Sequence, residues 1–468
     1  MSPFTLEAGL GVLLLVVFVA GLAARGSDRR WIGWLVLAGV AGLEALAFAL
    51  SPVEPAPGAI FVQDGLALFA KRLFLAATLV GVLCGLAPAA GPFARRAAEY
   101  HLLLLSSLLG MLVLASARDV ILLFVAFELM SIPLYVLAGF AKRDGTAVEA
   151  ALKFFLVGSV SSAVMAYGLS FVYGAARTTA LAGVARAASS GDPLLILGLL
   201  AALTGFGFKI AAFPFHMWVP DTYEAASTPF VAWLSVAPKA AGFVAIFRVY
   251  FEGTGAGAFW GPIVAALAAV TIVAGNLMAL PQENAKRLLA YSGIAHIGYM
   301  LVGVAAASAS GTAMVLFYLV AYVFGNMGAF LVVEAVARAE GSEHLGAFRG
   351  LAQRSPLLAL AMLLFLLSLG GIPFVAGFWA KLYVFWAAAS AGLYWLVLLG
   401  AILTVVALFY YLVVARRMYI DAPVHSGRIR LDPALTIAVL LCVLGVVALG
   451  LWPKPLVMAA LRVAAPLY

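Results

Sequence analysis

The sequence predicts an all-α polytopic membrane protein of about fourteen transmembrane helices, with two inverted five-helix repeats and two broken helices. Three observations predict it. The 468 residues are 65% hydrophobic and only 10% charged, with a mean hydropathy of +1.12, far from a soluble domain. The apolar runs are continuous and long enough to span a bilayer as helices, unlike the short alternating segments of a membrane barrel. Two of the runs are long, are interrupted by proline, and carry one lysine each near the break. Interrupted segments at matching places in two halves point to a transport site.

Span 1 covers about 6–24. Glu7 precedes its apolar run and Arg25 follows it, the reverse of a secretory signal, so a retained span with an external N-terminus is expected. Span 2, about 31–50, follows a basic loop. The acidic, proline-rich stretch SPVEPAPGAIFVQDG (51–65) reads as external. Span 3, about 65–88, has Lys71 and Arg72 near its start. Arg95 and Arg96 precede span 4, about 100–117. Span 5, about 119–140, contains Glu128, and Lys142 and Arg143 close it. Span 6, about 149–174, contains Lys153.

Span 7, about 193–219, is the first broken run: GFGFKIAAFPFHMWVPDTYE (205–224) holds Lys209, Pro214 and His216. Proline removes a backbone donor and clashes with the preceding turn, so the helix breaks there. Span 8, about 229–251, carries Pro238 and Lys239. Span 9 is about 258–280. Span 10, about 287–307, contains His296, and span 11 is about 311–336. Span 12 runs from Leu357 to Ser390 with Lys381 as its only charge, interrupted by Gly370, Gly371 and Pro373. Its length, well above the roughly 20 residues needed to cross, fits a second broken helix. Spans 13 (about 393–415) and 14 (about 433–452) complete the set.

Fourteen spans put both termini on one side and the basic loops on the other, the cytoplasmic side by the positive-inside rule; Arg177 and Arg186 are exceptions. The two broken spans lie five apart, and an odd offset inverts orientation. The expected organisation is one transmembrane bundle over 1–468: spans 1–3 within 1–99, a first repeat (spans 4–8) over 100–252, a second (spans 9–13) over 258–419, and a loop with the final span over 420–468.

The net charge of +8 sits mostly in short loops, where the bilayer explains it and nucleic acid is not implied. Cys84 and Cys442 lie inside apolar runs and offer neither a disulfide framework nor a metal-binding spacing. No two of the five histidines share a span, and no glycine-rich nucleotide fingerprint is present. No metal and no redox cofactor is expected in this chain.

The chemistry therefore rests on the intramembrane charges Glu128, Lys209, Lys239 and Lys381. Each costs about 2.5–3.5 kcal/mol at a helix centre. A lysine deprived of water exchanges its proton nearer neutral pH, and a neighbouring carboxylate opposes that change. Making and breaking a Glu128–Lys209 pair is thus expected to capture and release a proton. His216 and His296 suit relay roles because imidazole titrates near neutrality. Lys153 lies nearer an interface.

At these residues the chain resembles the antiporter-like membrane subunits of respiratory complex I, and most of all the N subunits of bacterial NADH:quinone oxidoreductase. The resemblance is carried by EYHLLLLSSLLGMLVLASARDVILLFVAFELMSIPLYVLAG (99–139), EAALKFFLVGSVSSAVMAYGLSFVYG (149–174), FKIAAFPFHMWVPDTYEAA (208–226), QENAKRLLAYSGIAHIGYMLVG (282–303) and GGIPFVAGFWAKLYVF (370–385). It implies fourteen helices with helices 7 and 12 broken. It places the family's carboxylate at Glu128, its central lysines at Lys209 and Lys239, and its helix-12 lysine at Lys381, where M-type subunits carry glutamate. Lys153, His216 and His296 match accessory polar positions. No lateral helix of the L type is expected beyond span 14. Flavin, iron–sulfur clusters and quinone are expected in partner subunits, and the implied partners are the M-, K-, L-, J-, A- and H-type membrane-arm subunits and the lipid of a bacterial inner membrane. The competing readings are a subunit of an Mrp-type cation/proton antiporter, a membrane-bound hydrogenase subunit, and a structural scaffold.

Overall fold

The computed structural model describes residues 2–24, 29–53, 56, 58–86, 96–254, 260–423, 425 and 427–468. Arg25 and Arg95, the last residues expected in span 3 and the first in span 9 lie outside the described residues. Among the described residues, thirteen helices are long and apolar enough to cross a membrane. A fourteenth crossing is supplied by two shorter helices on either side of a break, Pro356–Gly370 and Ala376–Ser390.

The first crossings are α1 (Thr5–Ala23), α2 (Trp31–Ala49), α3 (Gly65–Leu86), α4 (Ala97–Ser116), α5 (Val120–Ala138) and α6 (Gly145–Ala176). A short helix α7 (Leu181–Ala188) precedes the first broken crossing, α8 (Pro193–Ile210) and α9 (Trp218–Ala225). The next is in pieces: α10 (Thr228–Leu234), α11 (Ala237–Ile246) and a π-helical turn, Phe247–Glu252. Then come α12 (Gly261–Ala279), α13 (Ala285–Ala305) and α14 (Ala309–Glu340). The second broken crossing is α15 (Pro356–Gly370) with α16 (Ala376–Ser390), followed by α17 (Tyr394–Tyr419) and α18 (Pro433–Leu451). In each run of five crossings after α3 the fourth is the broken one.

Local sequence sets the helix starts. The Asp119 carboxylate accepts from the amides of Ile121 and Leu122, Asp144 caps α6, and Asn284 accepts from Lys286 and Arg287. Asp192-Pro193 and Asp432-Pro433 combine an acidic cap with proline at the first helical position, where its missing donor costs nothing. Two elements go beyond the sequence expectation. Span 8 is interrupted at Ser235–Val236 and finishes as a π-turn. After α18 comes an amphipathic helix, α19 (Lys454–Ala464), packed on α14.

The chain divides into two compact units. Unit 1 holds Met1–Ala211, Ala237–Gly257 and Pro466–Tyr468; unit 2 holds Ala212–Val236 and Ala258–Ala465. In unit 1, α3 is mostly buried and packs on α2, α4 and α11, while α6 packs on α8. Gly110 lets α4 approach the backbone of α5, since a Cβ there would collide with the Met130 amide. In unit 2, α12 packs closely along α13, where a Cβ on Gly275 would meet the backbone of Ala295. Such contacts between small residues let helices associate where burial against lipid provides no drive.

Candidate functional site

Unit 1 assembles Glu128, Lys209 and Lys239. Lys209 is the penultimate residue of α8 and only 3% exposed. Its ammonium donates to Ser131 Oγ at 2.6 Å and sits 4.9 Å from the Phe127 ring centroid and 5.6 Å from that of Phe208. Ser131 in turn donates to the Phe127 carbonyl at 2.5 Å. Glu128 is half-buried, and its Oε1 accepts from Ser162 Oγ at 2.5 Å. Glu128 and Ser131 are three residues apart on α5 and so share a face. The two members of the expected Glu128–Lys209 pair are each held by a serine, Glu128 by Ser162 and Lys209 by Ser131. Lys239, on α11, is 1% exposed. Three residues on, Gly242 brings α11 against the Lys209 stem, where an added Cβ would stand 3.3 Å from Lys209 Cγ.

Lys209 lies next to the helix break for a local reason. At Ala211 the backbone turns left-handed (φ 64), and its amide bonds back to the carbonyls of Gly207 and Phe208. The helix stops there, and Pro214 lies in the segment before α9 begins. Unit 2 contains the matching arrangement. α15 stops where Gly371 turns left-handed (φ 81), its amide bonding back to Leu367 and Ser368. Pro373 and Phe374 (φ 74) follow before α16. Lys381, 4% exposed, reaches back from α16 to donate to the Gly370 carbonyl at 3.3 Å. That carbonyl is among those a helix end leaves without an intrahelical partner. The ammonium lies 4.6 Å from the Tyr299 ring centroid.

His296, buried on α13, is the hub of a hydroxyl network in the same unit. Its Nδ1 is 2.8 Å from Tyr318 Oη and its Nε2 is 3.3 Å from Tyr411 Oη, which is 2.5 Å from Ser292 Oγ. Asn276 donates to Tyr299 Oη and accepts from Tyr410 Oη, both at 3.2 Å. The rings of Tyr410 and Tyr411 lie 4.6 Å apart, so the His296 and Lys381 surroundings meet at this pair. His216 is buried in the first break, stacked on Phe213 at 5.2 Å. Lys153 is exposed on α6 and pairs with Glu149 at 2.8 Å, apart from the buried sets.

Sequence reasoning misses the hydroxyl and amide groups in these sites, because serine and tyrosine do not stand out in an apolar run. It also misses Arg248, which is fully buried. Its guanidinium donates to both carboxylate oxygens of Asp64 at 2.6 and 2.7 Å, to Glu252 at 2.8 Å, and to the Ala115 carbonyl. Its signal was in the sequence, as a second charge nine residues after Lys239 in one apolar run.

The chain is similar to proteins of known family. A family model described as NADH:quinone oxidoreductase/Mrp antiporter, TM, matches residues 117–407. The chain is similar to the NADH-quinone oxidoreductase subunit N of Moorella thermoacetica, 42% identical over 464 residues, covering 98% of this chain and 96% of that protein. It is similar to a chain in the structure of respiratory complex I from Thermus thermophilus with bound aureothin, with a TM-score of 0.83 and 34% identity, over 97% of this chain and 99% of that one. A chain of the Mrp complex from Dietzia sp. DQ12-45-1b shares the fold, with a TM-score of 0.89 at 24% identity over 100% and 98% of the two chains.

Proposed function

Because the chain belongs to the subunit N family of NADH-quinone oxidoreductases, we propose that it is a membrane-arm subunit of such a complex and moves protons across the bilayer through its buried carboxylate and lysines. The observation that carries this reading is the joint one. A chain similar over 98% of its length to a subunit N keeps Lys209, Lys239 and Lys381 almost wholly buried, two of them beside helix breaks. Burying a cation in lipid is costly enough that each position needs a use.

In unit 1, Lys209 holds a proton against Ser131, with Glu128 near enough to bias it. Moving the Glu128 charge toward or away from Lys209 changes how tightly the proton is held, and Lys239 is the next buried base. In unit 2, Lys381 and His296 are the proton carriers, linked by Tyr299, Asn276, Tyr410 and Tyr411. His216 and Lys153 are accessory groups. Moving one proton against 100 mV takes about 2.3 kcal/mol, the size of a change of under two units in a lysine's proton affinity. Electron transfer, with its flavin and iron–sulfur clusters, belongs to partner subunits. The neighbouring chains are the other membrane-arm subunits of the complex. The location is the bacterial inner membrane, with both termini on the periplasmic side.

The test is purification through this chain in mild detergent. Co-purification with flavin- and iron–sulfur-containing subunits and NADH oxidation by quinone are expected. Recovery with small membrane partners alone, together with sodium-driven proton exchange in vesicles, would replace this reading with the cation/proton antiporter.

A further inference from the structure

The four charges assigned above leave a second buried set in unit 1 without a use. Lys71 is fully buried on α3, and its ammonium lies 2.6 Å from Oε1 of Glu7, itself only 8% exposed in the first turn of α1. The Phe61 ring covers the ammonium at 5.3 Å. Two turns earlier along the chain, Asp64 holds the buried Arg248. Arg118 and Glu252 complete that cluster: Arg118 pairs with Glu252, lies 3.9 Å from Asp64, and is 28% exposed. Three cations and three carboxylates therefore form a balanced set that runs from a partly exposed arginine to a wholly buried lysine. α3, which carries Lys71, packs on α11, which carries Lys239.

We propose that the Lys71–Glu7 pair, flanked by the Asp64–Arg248–Glu252–Arg118 cluster, is a proton-conducting branch that joins the buried lysines of unit 1 to the membrane face where α1 begins. The inference rests on the proton-translocating reading above. In the step itself, the Lys71 ammonium gives its proton to the Glu7 carboxylate across their 2.6 Å contact, leaving a neutral amine and a carboxylic acid. The acid, one turn from the end of α1, releases the proton to water, and the amine takes the next proton from the interior. The charge of the pair falls from zero to minus one on release and returns to zero on reprotonation. The flanking cluster carries no net charge.

The rival account is structural: the pair holds α1 to α3. The two differ in what Lys71→Arg does. Arginine keeps the ion pair but does not give up its proton near neutral pH. Inverted membrane vesicles containing the full complex would be assayed for NADH oxidation and for the pH gradient formed per NADH oxidised. Lys71→Arg is expected to assemble and to lose gradient per NADH. The double variant Lys71→Met with Glu7→Leu is expected to do the same, because an apolar replacement of a buried pair is often neutral for stability. A wild-type yield in either assembled variant overturns the branch. If neither assembles, Glu7→Gln, close to isosteric, decides by the same yield. Lys209→Met is measured alongside: a wild-type yield there defeats the underlying translocation reading, whereas its loss with a normal Lys71→Arg yield defeats the branch alone.

Discussion

Lys209 is held by a hydroxyl, which makes Ser131 the residue that positions it. Ser131→Ala would leave a buried ammonium with only aromatic faces around it. Hydrogen bonds to charged groups contribute about 1.5–3 kcal/mol, so a stability loss of that size is expected in thermal dissociation of the purified complex, with a lower gradient per NADH. Ser131→Thr, which keeps the hydroxyl, should restore both. An unchanged Ser131→Ala protein would mean that Lys209 is positioned by its rings alone. Asp64, in the loop before α3, gives a pH prediction. Burial pushes its carboxyl up, but the Arg248 charge and hydrogen bonds outweigh this and hold it below its ordinary value. A depressed carboxyl stabilises the fold fully above its unfolded value, about 3.9, and loses that contribution as pH falls through the folded value. Unit 1 should therefore lose stability only below the ordinary carboxylate range, and Asp64→Asn should flatten that part of a thermal-shift curve against pH. Lys209 and Lys381 were legible in the sequence because each is a lone charge in an apolar run. Ser131, Ser162 and Tyr411 were not, since their meaning depends on the phase of one helix against another.

The two broken helices use one device with different residues. Each first half ends on a left-handed residue whose amide bonds back to two carbonyls, Ala211 in one and Gly371 in the other. An L-residue in that region costs about 1–2 kcal/mol, and glycine does not bear this cost. Ala211→Gly is therefore expected to raise the stability of the complex by about 1 kcal/mol. Gly371→Ala should lower it by at least as much, because its Cβ would also stand 3.0 Å from Lys381 Cδ. Paired thermal-dissociation measurements check this: equal shifts of one sign in both variants would refute the shared geometry. The sequence announced both breaks through Pro214 and Pro373. It announced the stop at Gly371, but not the stop at Ala211, because alanine is the strongest helix former and nothing local marks it as a terminus. The interruption of span 8 at Ser235 was likewise silent.

At the scale of the whole chain, span count and charge placement together predict a topology that can be tested directly. The count was legible because bilayer thickness sets run length, and a bilayer leaves few ways to satisfy the backbone. The helix α19 escaped because it is too short and too polar on one face to register as a span. With fourteen crossings, the loop between α6 and α8 is expected on the side of both termini, and the loop between α14 and α15 opposite, on the side rich in basic residues. Ser190 and Ser342 are exposed in those two loops. Cys84 and Cys442 are fully buried, so a charged, membrane-impermeant thiol reagent would meet only an introduced cysteine. In right-side-out vesicles Ser190→Cys should label and Ser342→Cys should not; in inverted vesicles the pattern should reverse. The same pattern for both variants in one preparation would mean that the number of crossings between them is even. Because the branch through Lys71 opens where α1 begins, on the Ser190 side, labelling of Ser342→Cys but not Ser190→Cys in right-side-out vesicles would exchange the sides assigned to proton uptake and release.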